Sequence, residues 1–311
     1  MTWTASDIPD LEGRRAIVTG GNGGLGYRIA LELARHGART VIASRDTAKG
    51  EDAAGRIRGE VPTADVSVAR LDLADLATVR AFAAEQAGDG LDLLVNNAGV
   101  MALPRRATAD GFEMQLGTNH LGHFALTGLL LPALLERPGA RVVTMSSGAH
   151  QMGRIRFDDL QGERRYQRWM AYGQSKLANL LFAFELARRA ALAGLDLTSV
   201  AAHPGYAATN LQLAGPQMDG SGLKETLARV GNRLFAQSDA QGALPALYAA
   251  TMPDVTGGEY FGPDGIGGMR GAPTRAQTTK AARDPALARR LWTVSEELTG
   301  VSYDALGAAA V

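Results

Sequence analysis

Short apolar runs alternate with stretches of helical spacing along most of the chain. Residues 15–19 (RAIVT) form an apolar run closed by glycines, the pattern of a buried strand. Apolar side chains then return at Leu25, Ile29 and Leu33, which puts a helix over residues 25–35. The same reading gives strands at 40–43, 66–71, 91–95, 141–145, 195–201 and 259–261. It gives helices at 49–58, 76–86, 112–136, 172–192 and 285–298. Strand following helix at this rhythm implies βαβ units, hence an α/β fold with a mostly parallel, doubly wound sheet of seven strands and helices on both faces.

Residues 206–239 break the rhythm. They are rich in Gly, Gln, Asn and Met, and their placement after a late strand suggests a substrate lid. Its apolar members, among them Leu211, Met218, Leu227 and Leu234, suit a hydrophobic substrate. Residues 271–311 read as a C-terminal extension of a single dinucleotide-binding domain, with no linker or repeat within residues 1–311.

Composition narrows the chemistry. The 311 residues carry no net formal charge, so no global basic field attracts nucleic acid or an anionic membrane. No cysteine is present, which excludes disulfides, thiolate metal sites and cysteine nucleophiles. The first twelve residues lack the apolar core of a signal peptide, and no apolar run approaches a membrane span. The expectation is a cytoplasmic protein without membrane or nucleic-acid partners.

The glycines after the first strand are the first chemical signal. Thr19-Gly20-Gly21-Asn22-Gly23-Gly24-Leu25-Gly26 joins a strand to a helix. Glycine there allows positive φ and close backbone approach, and the helix N-terminus offers free N–H groups to a phosphate. This is the first turn of a Rossmann-type fold, with Gly20, Asn22, Gly24, Leu25 and Gly26 as cofactor contacts. At the end of the second strand, where an NAD site places a carboxylate, stand Ser44 and Arg45. Arg45 can bind a ribose 2′-phosphate through charge-assisted bonds, so NADP(H) is expected in preference to NAD(H).

TGxxxGxG at Thr19–Gly26, NNAG at Asn96–Gly99 and Tyr172-x-x-x-Lys176 occur in that order, and together they resemble the short-chain dehydrogenase/reductase family. The segments NNAGVM, TADGFEMQLGTNHLGHFALT, GRIRFDDLQGE and YGQSKLANLLFAFEL further resemble its retinol-dehydrogenase-like branch, which includes the WW-domain-linked oxidoreductases. The resemblance implies a catalytic set of Asn119, Ser147 rather than Ser146, Tyr172 and Lys176, with Tyr172 and Lys176 also contacting the cofactor. It implies that Asp72 and Leu73 meet the adenine, that Asn96, Asn97, Ala98 and Gly99 shape the cofactor floor, that Pro204 and Gly205 line the nicotinamide, and that Thr209 meets its carboxamide. It also implies a homodimer or homotetramer built on the long helices at 112–136 and 172–192. Two departures stand out. Ser147 and Tyr172 are 25 positions apart, wider than in many members, and Gly23 stands where the branch has Ser.

Carbonyl reduction needs a hydride on carbon and a proton on oxygen. A free tyrosine, with a pKa of about 10, gives up its proton reluctantly. Lys176 shares Tyr172's helix face at i+4, and a nearby cation favours the phenolate. Ser147 would hydrogen-bond the carbonyl oxygen, and the resemblance gives Asn119 a role in organising a water and Lys176 into a proton path. The expected activity is therefore carbonyl–alcohol interconversion on a hydrophobic small molecule. Two alternatives are a reductase of a conjugated C=C bond, which in related proteins uses a cysteine this chain lacks, and a non-catalytic NADP(H)-sensing protein.

His120 and His123 suggest no third ligand, so no metal is expected and both are assigned to a helix face. His203 is assigned to packing near the cofactor and His150 to the border of the substrate pocket. The arginines at 154, 156, 164, 165 and 168 are interspersed with Asp158, Asp159 and Glu163 and read as a solvated loop.

Overall fold

A computed structural model describes residues 2–205 and 238–307. The expected lid at 206–239 lies outside the described residues but for its last two positions, and so does Thr209. In chain order the strands are β1 (Arg15–Thr19), β2 (Arg39–Ser44), β3 (Val66–Arg70), β4 (Leu93–Asn96), β5 (Ala140–Met145), β6 (Leu197–Ala202), β7 (Tyr260–Pro263) and β8 (Pro273–Arg275). The main helices are α1 (Gly24–Arg35), α2 (Thr47–Glu60), α3 (Leu76–Gln86), α4 (Gly122–Leu135), α5 (Arg168–Leu192), α6 (Asp239–Thr251) and α7 (Pro285–Thr299).

All strands join one sheet in the order β3-β2-β1-β4-β5-β6-β7-β8. Every pairing is parallel except β7 with β8. The sheet thus has eight strands rather than the seven expected. The additional strand is a three-residue antiparallel edge led by a proline, too short to show a period and suited to an edge because proline cannot donate to a ladder. The central strands β1 and β4 are buried throughout, whereas edge strand β3 exposes Ser67 and Arg70. That difference follows from cover on both faces at the centre of a parallel sheet.

Strand order reverses between β1 and β4. Chain direction carries β1 to β2 to β3 one way and β4 to β5 to β6 the other, so a crevice opens beyond their carboxyl ends. Residues 20–26, Arg45, Asp72, Leu73, residues 97–99, Pro204 and Gly205 all lie just beyond those ends, while Tyr172 and Lys176 come from α5.

The stretch expected as one helix over 112–136 is three pieces: a short α-helical turn at Met114–Leu116, a π-helical turn at Gly117–Leu121 and then α4. The wide turn adds no compositional signal, because its residues suit an α-helix equally well; such bulges concentrate at functional sites. It holds Asn119.

The C-terminal extension packs against the sheet's own helices. Trp292 of α7 stacks on Phe182 of α5 (centroids 5.8 Å apart) and meets Phe124 of α4 edge-on (5.1 Å). Tyr303 closes the cluster at 4.5 Å from Trp292, and its hydroxyl donates to the Phe124 carbonyl at 2.7 Å. His120 Nε2 meets Ser295 Oγ at 2.9 Å. A methyl group at Gly128 would fall 2.7 Å from Val301, so this glycine permits the close docking. Part of the helix surface expected to pair with another subunit is thus packed against this chain's own α7 and Tyr303, while Trp169, Met170 and Leu192 of α5 stay exposed.

Candidate active site

The glycine turn is built by steric necessity at some positions and not at others. Gly20 and Gly24 have φ of 66° and 53°, where an L side chain is strained. Gly26 meets the turn itself: a Cβ there would lie 2.3 Å from the Gly20 carbonyl oxygen and 2.5 Å from Asn97 Nδ2. Gly23 is different. It is the N-cap of α1 with extended φ of −170° and open space around its Cβ position, so a serine there would fit without strain.

Thr19 ties this turn to the end of β4. Its Oγ1 accepts from the backbone N–H of Asn97 and of Ala98, both at 2.9 Å, while Asn97 Nδ2 donates to the Thr19 carbonyl at 2.8 Å. His123 completes the knot. Its Nδ1 faces the Asn119 carbonyl at 3.0 Å, so that nitrogen carries the proton and Nε2 accepts from Thr19 Oγ1 at 2.9 Å. Burial lowers the His123 pKa to about 4 and that of His120 to about 3, so both rings are neutral. The two histidines point to different partners, Thr19 and Ser295. The supporting role of His123 had no sequence signal, because it depends on the turn from β1 arriving beside α4.

Ser44 is buried, and its hydroxyl donates to the Asp46 carbonyl at 2.9 Å. Arg45 beside it is exposed. The neighbouring carboxylate of Asp46 caps α2 through the Lys49 N–H and pairs with Lys49 Nζ at 3.2 Å, not with Arg45. Asp72 Oδ1 accepts from Ala74 N–H at 3.0 Å, which shapes the turn after β3, and Leu73 is buried. Asn97, Ala98, Gly99, Pro204 and Gly205 are half-buried along the crevice. Gly205 has φ of 67°, and a Cβ there would collide with the Met269 carbonyl. The glycine cradle, the free α1 N-terminus and a cation where the ribose would lie fit a phosphorylated dinucleotide.

The other half of the site sits at the end of β5 and the start of α5. Tyr172 and Lys176 are buried on one helix face, with Lys176 Nζ 5.7 Å from the Tyr172 ring centroid. Burial pushes the Tyr172 pKa up to about 12, opposed by a hydrogen bond from Ser147. Burial lowers the Lys176 pKa to about 8, and its Nζ donates to the Met145 carbonyl at 3.1 Å. The phenol is therefore a reluctant acid held beside a cation that is mostly charged at neutral pH. Gly99 lies beside that cation, and a Cβ there would crowd Asn119 Oδ1 at 3.0 Å while meeting Lys176 Nζ in ordinary contact at 3.6 Å.

Asn119 reaches this region, but its side chain serves the backbone. Oδ1 accepts from Val100 N–H at 2.7 Å, and Nδ2 donates to the Val100 carbonyl at 2.9 Å and to Ser175 Oγ at 2.9 Å. It braces the loop after NNAG against α5 and makes no bond to Lys176.

The short chain dehydrogenase family profile matches residues 14–218. This chain is a short-chain dehydrogenase/reductase. Retinol dehydrogenase 12 of Mus musculus is 44% identical over 298 residues, covering 94% of this chain and 89% of that protein. Retinol dehydrogenase 13 of Homo sapiens is 43% identical over 296 residues, covering 94% and 86%. Among solved structures, an uncharacterized protein from Mycobacterium paratuberculosis is 45% identical with a TM-score of 0.81, covering 97% of this chain and 99% of that one. The Pseudomonas aeruginosa RhlG/NADP active-site complex is 25% identical with a TM-score of 0.62, covering 81% and 94%. The short-chain dehydrogenase/reductase is thus an oxidoreductase of the retinol-dehydrogenase-like branch, a group that interconverts carbonyls and alcohols. Among the described residues, no helix is long and apolar enough to cross a membrane.

Proposed function

We propose that this oxidoreductase acts on an apolar small-molecule carbonyl or alcohol, uses NADP(H) in preference to NAD(H), and relies on Tyr172 as general acid and base. The observation that carries the reading is the meeting of Ser147, Tyr172 and Lys176 beside Gly99, at the end of the crevice that the glycine turn opens. A nicotinamide bound there supplies or accepts hydride. In the reductive direction the Tyr172 hydroxyl gives its proton to the substrate oxygen; in the oxidative direction the phenolate takes it back. Ser147 Oγ donates its single proton to the substrate oxygen, and the charge on Lys176 steadies the phenolate against the burial that opposes it. Asn119 acts by bracing Val100, and thereby the floor beside Lys176.

Exposed Arg45 and the engagement of Asp46 elsewhere support the cofactor preference, as does the NADP complex of the P. aeruginosa relative. The substrate class is supported by relatives named for retinol and by half-exposed Trp169, which meets the Tyr172 ring edge-on at 6.3 Å. We expect a cytoplasmic location and a homodimer or homotetramer, for which the exposed part of α5 at Trp169, Met170 and Leu192 is available.

The test is NADPH oxidation against aldehydes, ketones and quinones by the wild type and Tyr172→Phe side by side. Turnover that disappears in the variant supports the reading, and turnover that persists removes Tyr172 from the mechanism. NADPH binding without turnover in either protein would favour the sensing alternative.

A further inference from the structure

The segment around Ser147 is closely tied. The Ser147 carbonyl accepts twice from the same residue: His150 N–H at 3.0 Å and His150 Nδ1 at 2.7 Å. A carbonyl only accepts, so Nδ1 carries the proton and Nε2 is the bare nitrogen. The Ser147 Oγ accepts from Ala149 N–H at 3.2 Å, which turns the hydroxyl oxygen towards the same short 3₁₀ turn, Gly148–Met152.

The imidazole itself is locked. His150 is buried, and its ring stands perpendicular to that of Tyr260 with centroids 5.7 Å apart. Tyr260 lies on the other side against His203, at 5.1 Å, whose Nδ1 accepts from Gly205 N–H at 3.2 Å. One tyrosine of β7 therefore wedges between an imidazole holding Ser147 and an imidazole holding the turn after β6. The 3₁₀ turn is pressed on α5 one residue beyond Tyr172: a Cβ at Gly153 would lie 2.3 Å from the Gly173 carbonyl, and a Cβ at Gly173 would lie 2.9 Å from the Ala149 carbonyl.

We propose that His150 is a positioning residue, whose Nδ1–H fixes the Ser147 carbonyl and so aims the Ser147 hydroxyl at Tyr172. It touches neither substrate nor cofactor in this role. The inference rests on the catalytic reading of Ser147 and Tyr172 given above.

The geometry separates two conservative replacements. The amide nitrogen of an asparagine falls near the place of Nδ1, whereas that of a glutamine falls near Nε2. His150→Asn keeps a donor to the Ser147 carbonyl and His150→Gln does not. Both variants would be assayed for kcat, KM for the carbonyl, Kd for NADPH and melting temperature, with Ser147→Ala and Tyr172→Phe alongside. The expected result is that His150→Asn keeps kcat within about threefold, while His150→Gln loses about tenfold or more in kcat with unchanged NADPH affinity, in line with the cost of a slightly misplaced catalytic group. Equal kcat in the two variants, or losses that simply follow melting temperature, would overturn the proposal. If Ser147→Ala and Tyr172→Phe keep wild-type turnover, the catalytic reading itself fails. If they lose turnover while His150→Gln does not, only the role of His150 fails.

Discussion

Replacing Gly26 by alanine tests whether the glycine turn is shaped by the contacts described. The new Cβ would arrive 2.3 Å from the Gly20 carbonyl oxygen and 2.5 Å from Asn97 Nδ2. Neither atom can step aside freely. The first belongs to the backbone of the turn, and the second is pinned by its bond to the Thr19 carbonyl. Ordinary contact requires the atoms to separate by about 1 Å, and overpacking of this kind costs about 1–3 kcal/mol. If the turn opens to relieve the clash, the loss falls on cofactor affinity, about 5- to 150-fold in the Kd for NADPH. If the turn holds, the same strain appears as lower stability. NADPH fluorescence titration and thermal melting, run together, capture both routes. Gly23→Ala is the internal control, because its extended backbone and open surroundings accept a methyl group. The reasoning is refuted if Gly26→Ala matches the wild type in both measurements, or if Gly23→Ala is impaired as severely.

Arg45→Asp should weaken NADPH binding by about 10-fold or more, the worth of a charge-assisted bond, while NADH binding is unchanged or improved; titrations of both nucleotides decide it. Trp292→Ala should cost about 3–5 kcal/mol in urea unfolding, since the ring is fully buried against Phe124, Phe182 and Tyr303. Acid should destabilise the fold between pH 6.5 and about 4. His120 and His123 have lowered pKa values in the folded chain, so over that window the unfolded state takes up protons that the folded state refuses. A melting temperature that is flat across the window would contradict their neutral, hydrogen-bonded burial.

Much of the parallel core was legible because β1, β2, β4, β5 and β6 are short apolar runs separated by helical spacing, and the turn at Gly20–Gly26 announces its own backbone needs. What escaped the sequence depends on distant segments meeting. The β8 edge exists only because β7 offers it a partner. The π-helical turn at Asn119 has unremarkable composition for a helix. Tyr172 and Lys176 were found by spacing, but spacing suggested that the cation would govern the phenol, whereas burial, a tertiary quantity, dominates. His150, His203 and Tyr260 come from three elements with no shared spacing. The helix around Trp292 was recognisable from its periodicity, yet nothing in that periodicity said which surface its apolar face would find.

That surface has a thermodynamic consequence. Because α7 and Tyr303 cover part of α4 and α5 from within the same chain, core completion is a unimolecular event. Folding equilibria of this kind do not respond to dilution, whereas those of obligate oligomers do. The stability that this contact contributes, read as the difference in unfolding between the wild type and Trp292→Ala, should therefore stay the same across a hundredfold range of protein concentration.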